Sequence, residues 1–96
     1  MTKQAKLKTA EVIKVYDGDT IRCSDNERIR YLRVDTPEKG CPGCAIARKL
    51  NEKLVLHKTI KYQSVSRDAF ARLLCEVWLP DGRNVNDILI ANGFGE

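Results

Sequence analysis

The sequence contains no long apolar run, internal repeat or low-complexity segment. A membrane-spanning helix needs about 20 consecutive apolar residues, so we expect no membrane partner. The basic start MTKQAKLKTA also lacks the apolar core of a secretory signal. We therefore expect a cytoplasmic location if the chain is complete, and a secreted or periplasmic location only if a signal has been removed.

Cysteine occurs at four positions, and only Cys41 and Cys44, in CPGC, are spaced like metal ligands. A structural zinc site normally needs a second close pair, which this sequence lacks. Cys23 and Cys75 each stand alone in an apparent strand, where cysteine is commonly a small buried apolar residue. The sequence thus favours free or buried thiols first, a redox-sensitive Cys41–Cys44 pair second and zinc third.

The length of 96 residues predicts a single domain over residues 1–96, with about residues 1–7 as a flexible N-terminal segment. Hydrophobic residues make up 43% and charged residues 31% of the chain, which is typical of a folded globular domain. Lysine and arginine number 17, against 13 aspartate and glutamate residues. The resulting charge of +4 favours an anionic partner without requiring one.

Short segments rich in β-branched and alternating apolar residues predict five strands. They cover residues 7–16, 20–24, 28–34, 59–66 and a longer segment, FARLLCEVWLPDGRNV, that turns at PDG. Together with a helix after the third strand and another at the end, they give the order β-β-β-α-β-β-α. This order predicts a mainly β (α+β) fold: a five-stranded, partly open Greek-key barrel of the OB type.

The two expected helices are recognised by different signals. The first has an apolar face at spacings of three to four residues, formed by Ile46, Leu50, Leu54 and Val55. His57 is placed on this helix as a surface or packing residue. The second is a short helix in NVNDILIANGF, with an asparagine cap at residue 84 or 86 and a stop at the glycine of NGF.

The segment VYDGDTIRC places Asp17 and Asp19 on either side of Gly18, between two predicted strands. A plain hairpin turn is the simplest interpretation, because Asp-Gly between apolar runs is a strong turn signal. The chain also supplies VDTPE at the end of the third strand, Arg30 within that strand, and Arg72 at the start of the fifth. A divalent cation such as calcium requires several oxygen ligands, and arginines stabilise the transition state of a phosphodiester.

Four segments in order and spacing carry a resemblance to a known family: VIKVYDGDTIRC, RYLRVDTPE, DAFARLL and PDGRNVNDILIANGFG. They resemble the staphylococcal nuclease (thermonuclease-like) family over nearly the whole chain. The resemblance implies an OB-fold, calcium-dependent nuclease that cleaves DNA and RNA on the 5′ side of phosphorus and leaves 3′-phosphates. The implied partner is nucleic acid, with single-stranded DNA or RNA favoured and the choice between them left open.

The resemblance also implies roles for individual residues. Asp19 and Asp35 correspond to the calcium carboxylates, and Thr36 contributes its backbone carbonyl. Asp17 falls outside the direct metal ligands and is expected to fix the turn, while Gly18 lets the backbone turn.

The catalytic roles implied by the resemblance fall on three residues. Glu38 corresponds to the general base that activates or orients the attacking water. Arg30 and Arg72 correspond to the pair that binds the phosphate, with Arg72 placed to favour the transition state. No other cofactor is implied.

The chain departs from the family pattern at several points. Ala71 stands where a glycine is usual, and Ala69 and Phe70 stand where the nuclease has a basic residue and a tyrosine near the phosphate. The loop EKGCPGC is shorter than the family's loop beside the active site. The sequence to Glu96 does not include the family's third helix or its nucleotide-binding tyrosines. A dimer is one way to replace the packing of that helix, and the oligomeric state stays open.

Two alternative functions remain at this stage. The first is a non-catalytic OB-fold module that binds nucleic acid or protein; such a module is expected to have lost its carboxylates, whereas all those of the signature are present here. The second, a zinc- or redox-regulated module, is motivated only by CPGC.

Overall fold

The first half of the barrel is an antiparallel meander. In the computed structural model, which describes residues 7–96, it consists of β1 (Lys8–Val15), β2 (Thr20–Cys23) and β3 (Arg28–Tyr31). The predicted flexible segment lies outside the described residues, apart from Leu7, which is exposed. Strand β3 is shorter than predicted because Arg33 has a left-handed backbone (φ 64°), which turns the chain out of the sheet.

The remaining elements follow the predicted order. They are α1 (Cys44–Val55), β4 (Thr59–Arg67), β5 (Leu73–Trp78) and α2 (Val85–Leu89), and a wide helical turn over Ile90–Phe94 extends α2. No helix in residues 7–96 is long and apolar enough to cross a membrane.

The five strands form a closed barrel in the order β1-β2-β3-β5-β4. Neighbouring strands are antiparallel except β3 and β5, which run parallel, and pairing of β4 with β1 closes the barrel. The prediction of a five-stranded OB-type barrel with two helices is therefore confirmed, but the barrel is closed and not partly open as expected. The parallel pairing places Arg30 opposite Leu74, so the arginine of β3 and the residues just before β5 lie on neighbouring strands.

The barrel interior is filled by the alternate residues of the strands. Val12, Ile21, Ile29, Tyr31 and Val77 are fully buried there. This inward-facing set is what the alternating pattern predicts, because successive side chains of a strand point to opposite faces.

The buried face of α1 agrees with the prediction at Leu50, Leu54 and Val55 but differs from it at Ile46. Ala47, Asn51 and Val55, four residues apart, are buried, whereas Ile46 is 69% exposed. The reason is the close approach of α1 to the DGD turn, which requires a small residue at 47. Asn51 donates one hydrogen bond to this turn and accepts another from buried Tyr31. Leu50 packs at the edge of the core.

The cysteines and the histidine differ in their exposure to solvent. All four thiols are free, and Cys23 and Cys75 are fully buried, as predicted. Burial raises the pKa of each of these two thiols to about 12. His57 is exposed as expected but follows α1 rather than lying on it, in a turn with a left-handed backbone.

The last residues of the chain are bound to the segment that follows β3. The amide of Asp35 donates to the carbonyl of Phe94 at 2.8 Å, and the amide of Glu96 donates to the carbonyl of Arg33 at 3.1 Å. Helix α2 is held to the barrel by Asn86, whose buried amide group donates to two backbone carbonyls and accepts from the backbone amide of Val77. The N-cap predicted at residue 84 or 86 is at Asn84.

Candidate active site

A polar cleft of about 280 Å³ opens where β2 and β3 meet the segment after β3 and the turn before β5. All six residues predicted to carry the chemistry line it, so the fold brings together side chains that are far apart in sequence. The complete lining is Asp17, Asp19, Arg30, Asp35, Thr36, Pro37, Glu38, Lys39 and Arg72.

The turn between β1 and β2 is fixed from two sides. Within the turn, the Asp17 carboxylate accepts a hydrogen bond from the amide of Asp19 at 2.9 Å, as expected for a residue that shapes the turn. From α1, the side-chain amide of Asn51 donates to the Asp17 carbonyl at 2.9 Å, and the Asn51 oxygen accepts from the hydroxyl of buried Tyr31 at 2.6 Å. The position of Asp19 is thus determined by both the barrel and the helix.

Gly18 is required here for space and not for its backbone angles. Its φ is outside the left-handed range, which corrects the expectation that a glycine is needed to let the chain turn. A Cβ at this position would lie 2.6 Å from the Cβ of Ala47 and 2.8 Å from Cγ2 of Thr36. Because neither atom belongs to the far end of a flexible side chain, any larger residue would push the DGD turn away from α1.

The carboxylate of Asp19 is the most elaborately supported group of the cleft. One oxygen accepts from the Thr20 hydroxyl at 2.7 Å, and the other accepts from the Thr36 hydroxyl at 3.3 Å and lies 3.6 Å from a guanidinium nitrogen of Arg30. Partial burial alone would raise its pKa, but hydrogen bonding and the charge of Arg30 outweigh burial and lower the pKa. Burial and the neighbouring carboxylate raise the pKa of Asp17, so Asp19 is the first of the two to ionise.

The two arginines of the cleft are held by different partners. Arg30 donates to the carbonyl of Tyr31 at 2.9 Å, besides its ion pair with Asp19. Arg72 donates through Nε to a carboxylate oxygen of Asp68 at 2.8 Å and through Nη1 to the Thr20 hydroxyl at 3.0 Å. Each arginine side chain is only 21% exposed, so both guanidinium groups are positioned before any ligand arrives.

Asp68 organises the turn that precedes β5. Its Oδ1 accepts from the backbone amides of Phe70 and Arg72, both at 2.9 Å, while Oδ2 pairs with the Arg72 guanidinium. Burial pushes the pKa of Asp68 upward, but these donors together lower it. One carboxylate therefore fixes both the backbone and the side chain of Arg72.

The segment after β3 contributes the remaining candidates. Asp35 is exposed, and its backbone is anchored by the hydrogen bond to Phe94, whereas Thr36 is buried between Gly18 and the cleft. Glu38 is exposed at the cleft, and its carbonyl accepts from the amide of Cys41 at 2.9 Å. The general-base candidate thus lies on a loop whose end is the cysteine-bearing turn.

The donor atoms of the cleft fit a hard cation better than zinc. In the described part of the chain, no three or more His, Cys, Asp and Glu side chains form a cluster that could hold a metal ion. The carboxylates of Asp19 and Asp35 are oxygen donors, which calcium prefers; because the described residues hold no cluster of three such side chains, backbone oxygens and water would have to complete its about six to eight ligands. The chemistry of this donor set therefore fits calcium.

The supporting residues were not predicted from the sequence. Asp68, Thr20 and Asn51 position Arg72 and the DGD turn but were not singled out. A signal existed for the first: an aspartate whose side chain can accept from amides two and four residues later is a typical turn former. Asn51, by contrast, cannot be distinguished in sequence from a solvated helical residue.

Comparisons with known proteins identify the family of this chain. A family model described as "Staphylococcal nuclease homologue" matches residues 28–96, which includes β3 and everything after it. The chain belongs to the staphylococcal nuclease family. The matched region contains the arginines and the VDTPE segment of the cleft.

Individual relatives of the family come from several bacteria. The chain is 36% identical over 85 residues to an uncharacterized endonuclease of Escherichia coli O157:H7, covering 85% of this chain and 56% of that protein. It is 33% identical over 103 residues to endonuclease YncB of Bacillus subtilis (95% and 48% covered), and 32% identical over 81 residues to the thermonuclease of Staphylococcus intermedius (73% and 48% covered). The chain spans about half the length of these relatives.

Proposed function

We propose that this protein is a calcium-dependent nuclease that hydrolyses phosphodiester bonds of single-stranded DNA or RNA. The observation that carries the proposal is the convergence of two carboxylates, two held arginines and an accessible glutamate on one cleft of a staphylococcal nuclease family member. The names of the relatives, endonuclease and thermonuclease, support the same reaction class.

The phosphate would be bound by Arg30 and Arg72. Arginine offers a planar fork of donors that matches two phosphate oxygens, and a fork already fixed in place costs little reorganisation when charge develops. Arg72 is held through Nε and Nη1 by Asp68 and Thr20, which leaves Nη2 to donate to the phosphate. Its charge favours the transition state, which is more negative than the substrate.

Asp19, Asp35 and Thr36 would hold calcium, which supplies charge neutralisation and orientation of an in-line attack when bound. The low pKa of Asp19 keeps its carboxylate ionised for this purpose near neutral pH.

Glu38 accepts a proton from the attacking water as the water oxygen forms its bond to phosphorus. The bond between phosphorus and the 5′ oxygen breaks, that oxygen takes a proton from solvent water in the open cleft, and Glu38 returns its own proton to the solvent. The two fragments of the cleaved strand carry a 3′-phosphate and a free 5′-hydroxyl, respectively. Because Glu38 is exposed at the cleft, water reaches it directly.

The test is cleavage of end-labelled single-stranded DNA and RNA with calcium, with magnesium and with EDTA. We expect calcium-dependent cleavage whose products shift in a denaturing gel after 3′-phosphatase treatment. Arg72→Ala should lower the rate by about 10²- to 10³-fold and Glu38→Gln by a comparable factor, as for single electrostatic and acid–base groups elsewhere.

Arg48→Ala and Glu11→Gln are matched controls. Arg48 lies on the exposed side of α1 and Glu11 on β1, and neither lines the cleft. Both controls should retain the parent rate, and thermal unfolding should show that all four variants fold. Near-parental rates in the two cleft variants would overturn the assignment. Nucleic-acid binding without cleavage, unaffected by EDTA, would instead identify a non-catalytic binding module.

A further inference from the structure

A second cavity, of about 400 Å³, adjoins the proposed phosphate site and has no role in the chemistry described above. Asp17 and Arg72 line both cavities, so the two cavities adjoin at these residues. The second cavity is lined by Tyr16, Asp17, Thr20, Arg28, Phe70 and Arg72. Its volume lies within the range of small-ligand sites, about 300–1,000 Å³.

Phe70 is an exposed aromatic residue whose backbone is fixed by two hydrogen bonds. Its side chain is 69% exposed, while its backbone amide is bound by Asp68 and its carbonyl accepts from the guanidinium of Arg28. The Arg72 guanidinium lies 5.4 Å from the centre of the Phe70 ring, a distance at which a cation is attracted to the ring. An exposed apolar ring on a fixed backbone, beside two arginines, marks a binding surface more readily than a folding requirement.

Tyr16 supplies a second aromatic ring to the same cavity. It is 36% exposed, it follows β1 directly, and the ammonium of Lys14 lies 4.9 Å from its ring centre. The cavity is therefore lined by aromatic rings from two separate parts of the barrel, with cations against both.

The charge of the cavity favours an anionic ligand. Arg28 donates to a backbone carbonyl, and within residues 7–96 it forms no ion pair, so its positive charge is not neutralised by a carboxylate. At the boundary with the cleft, Arg72 is ion-paired with Asp68 and the Asp17 carboxylate also lines the cavity, so Arg28 is the cation that remains available to a ligand. Flat apolar surfaces combined with free cations are the means by which OB-type barrels hold single strands: bases stack on the rings and the cations follow the backbone.

We propose that this cavity is a nucleobase subsite, which takes the unpaired base next to the scissile phosphate between Tyr16 and Phe70 while Arg28 contacts the adjoining backbone. The inference rests on the proposed function, because it takes Arg72 as the ligand of the scissile phosphate. It also specifies the substrate class as single-stranded, since a paired base would first have to leave its stack at a cost of a few kcal/mol.

The test separates base recognition from cleavage. In the Glu38→Gln background with calcium, the affinity for a short fluorescent single-stranded DNA is compared with its affinity for the same strand carrying one abasic nucleotide, moved along the strand position by position. We expect one position at which loss of the base weakens binding about 5- to 100-fold, the size of a single stacking contact. Phe70→Ala and Tyr16→Ala should weaken binding of the intact strand by a similar factor but leave binding of that abasic strand unchanged.

Ile46→Ala is the matched control, because Ile46 is as exposed as Phe70, at 69%, and lines neither cavity. The Ile46→Ala variant should bind both strands like the parent. Phe70→Tyr, which keeps a ring, should bind the intact strand more tightly than the abasic strand, as the parent does. Equal affinity of the intact and abasic strands at every position would overturn the subsite even if the wild-type protein cleaves. Position-dependent discrimination abolished by Phe70→Ala would support the subsite even if no cleavage is found, and the proposed nuclease function would then fail alone.

Discussion

Replacing Ala71 with glycine should stabilise the protein, and the size of the effect follows from the backbone. Ala71 has φ 64°, in the left-handed region, where a side chain costs about 1–2 kcal/mol. Its methyl group is exposed, so removing it sacrifices little packing. Glycine makes the unfolded chain more flexible, which costs about 0.4–1 kcal/mol. The net expectation is about 1 kcal/mol of additional stability, or roughly 4–8 °C in Tm for a domain of this size.

Thermal and urea unfolding of the parent and Ala71→Gly provide the assay, with Ala69→Gly as the control. Ala69 is exposed in the same turn but is not among the residues with positive φ, so its replacement should lower stability by about 0.4–1 kcal/mol. Opposite shifts for two identical substitutions, two residues apart, are the signature of backbone strain at position 71. Shifts of the same sign would refute the reasoning.

Two further predictions concern a supporting residue and the thiols. Asp68→Asn should keep the two backbone hydrogen bonds of the turn but lose the charge that orients Arg72. We expect kcat to fall about 10- to 100-fold with little change in KM. The control Asp81→Asn, which breaks a similar aspartate–arginine pair outside the cleft, should leave both constants unchanged. An aromatic disulfide reagent at pH 8 should react rapidly with the two cysteines of CPGC in the folded protein. It should not react rapidly with Cys23 or Cys75, because burial raises the pKa of each of these thiols to about 12. Four fast-reacting thiols would contradict this prediction and show that the barrel opens readily.

The barrel could be predicted from the sequence because the strand pattern depends on neighbouring residues only. The residues that line the cleft could be named from the sequence because they fall in short motifs whose order and spacing resemble those of a known family, and their roles stay predictions. What escaped prediction depends on contacts between distant segments. The need for Gly18 arises from the approach of α1, and the exposure of Ile46 arises because Asn51 faces the DGD turn in its place. The early end of β3 depends on a single left-handed residue, Arg33, that the alternating pattern does not reveal.

The hydrogen bonds between residues 94–96 and the segment after β3 affect any polypeptide joined to this domain at Glu96. Such a polypeptide would begin beside the backbone of Arg33, two residues before Asp35 of the cleft. Tethering at this point would give its first side chains a high effective concentration near the phosphate site. An acidic extension would therefore compete with nucleic acid for the arginines, whereas a basic one would recruit it, so the sequence of a C-terminal fusion would change the apparent substrate affinity without altering any residue of the domain.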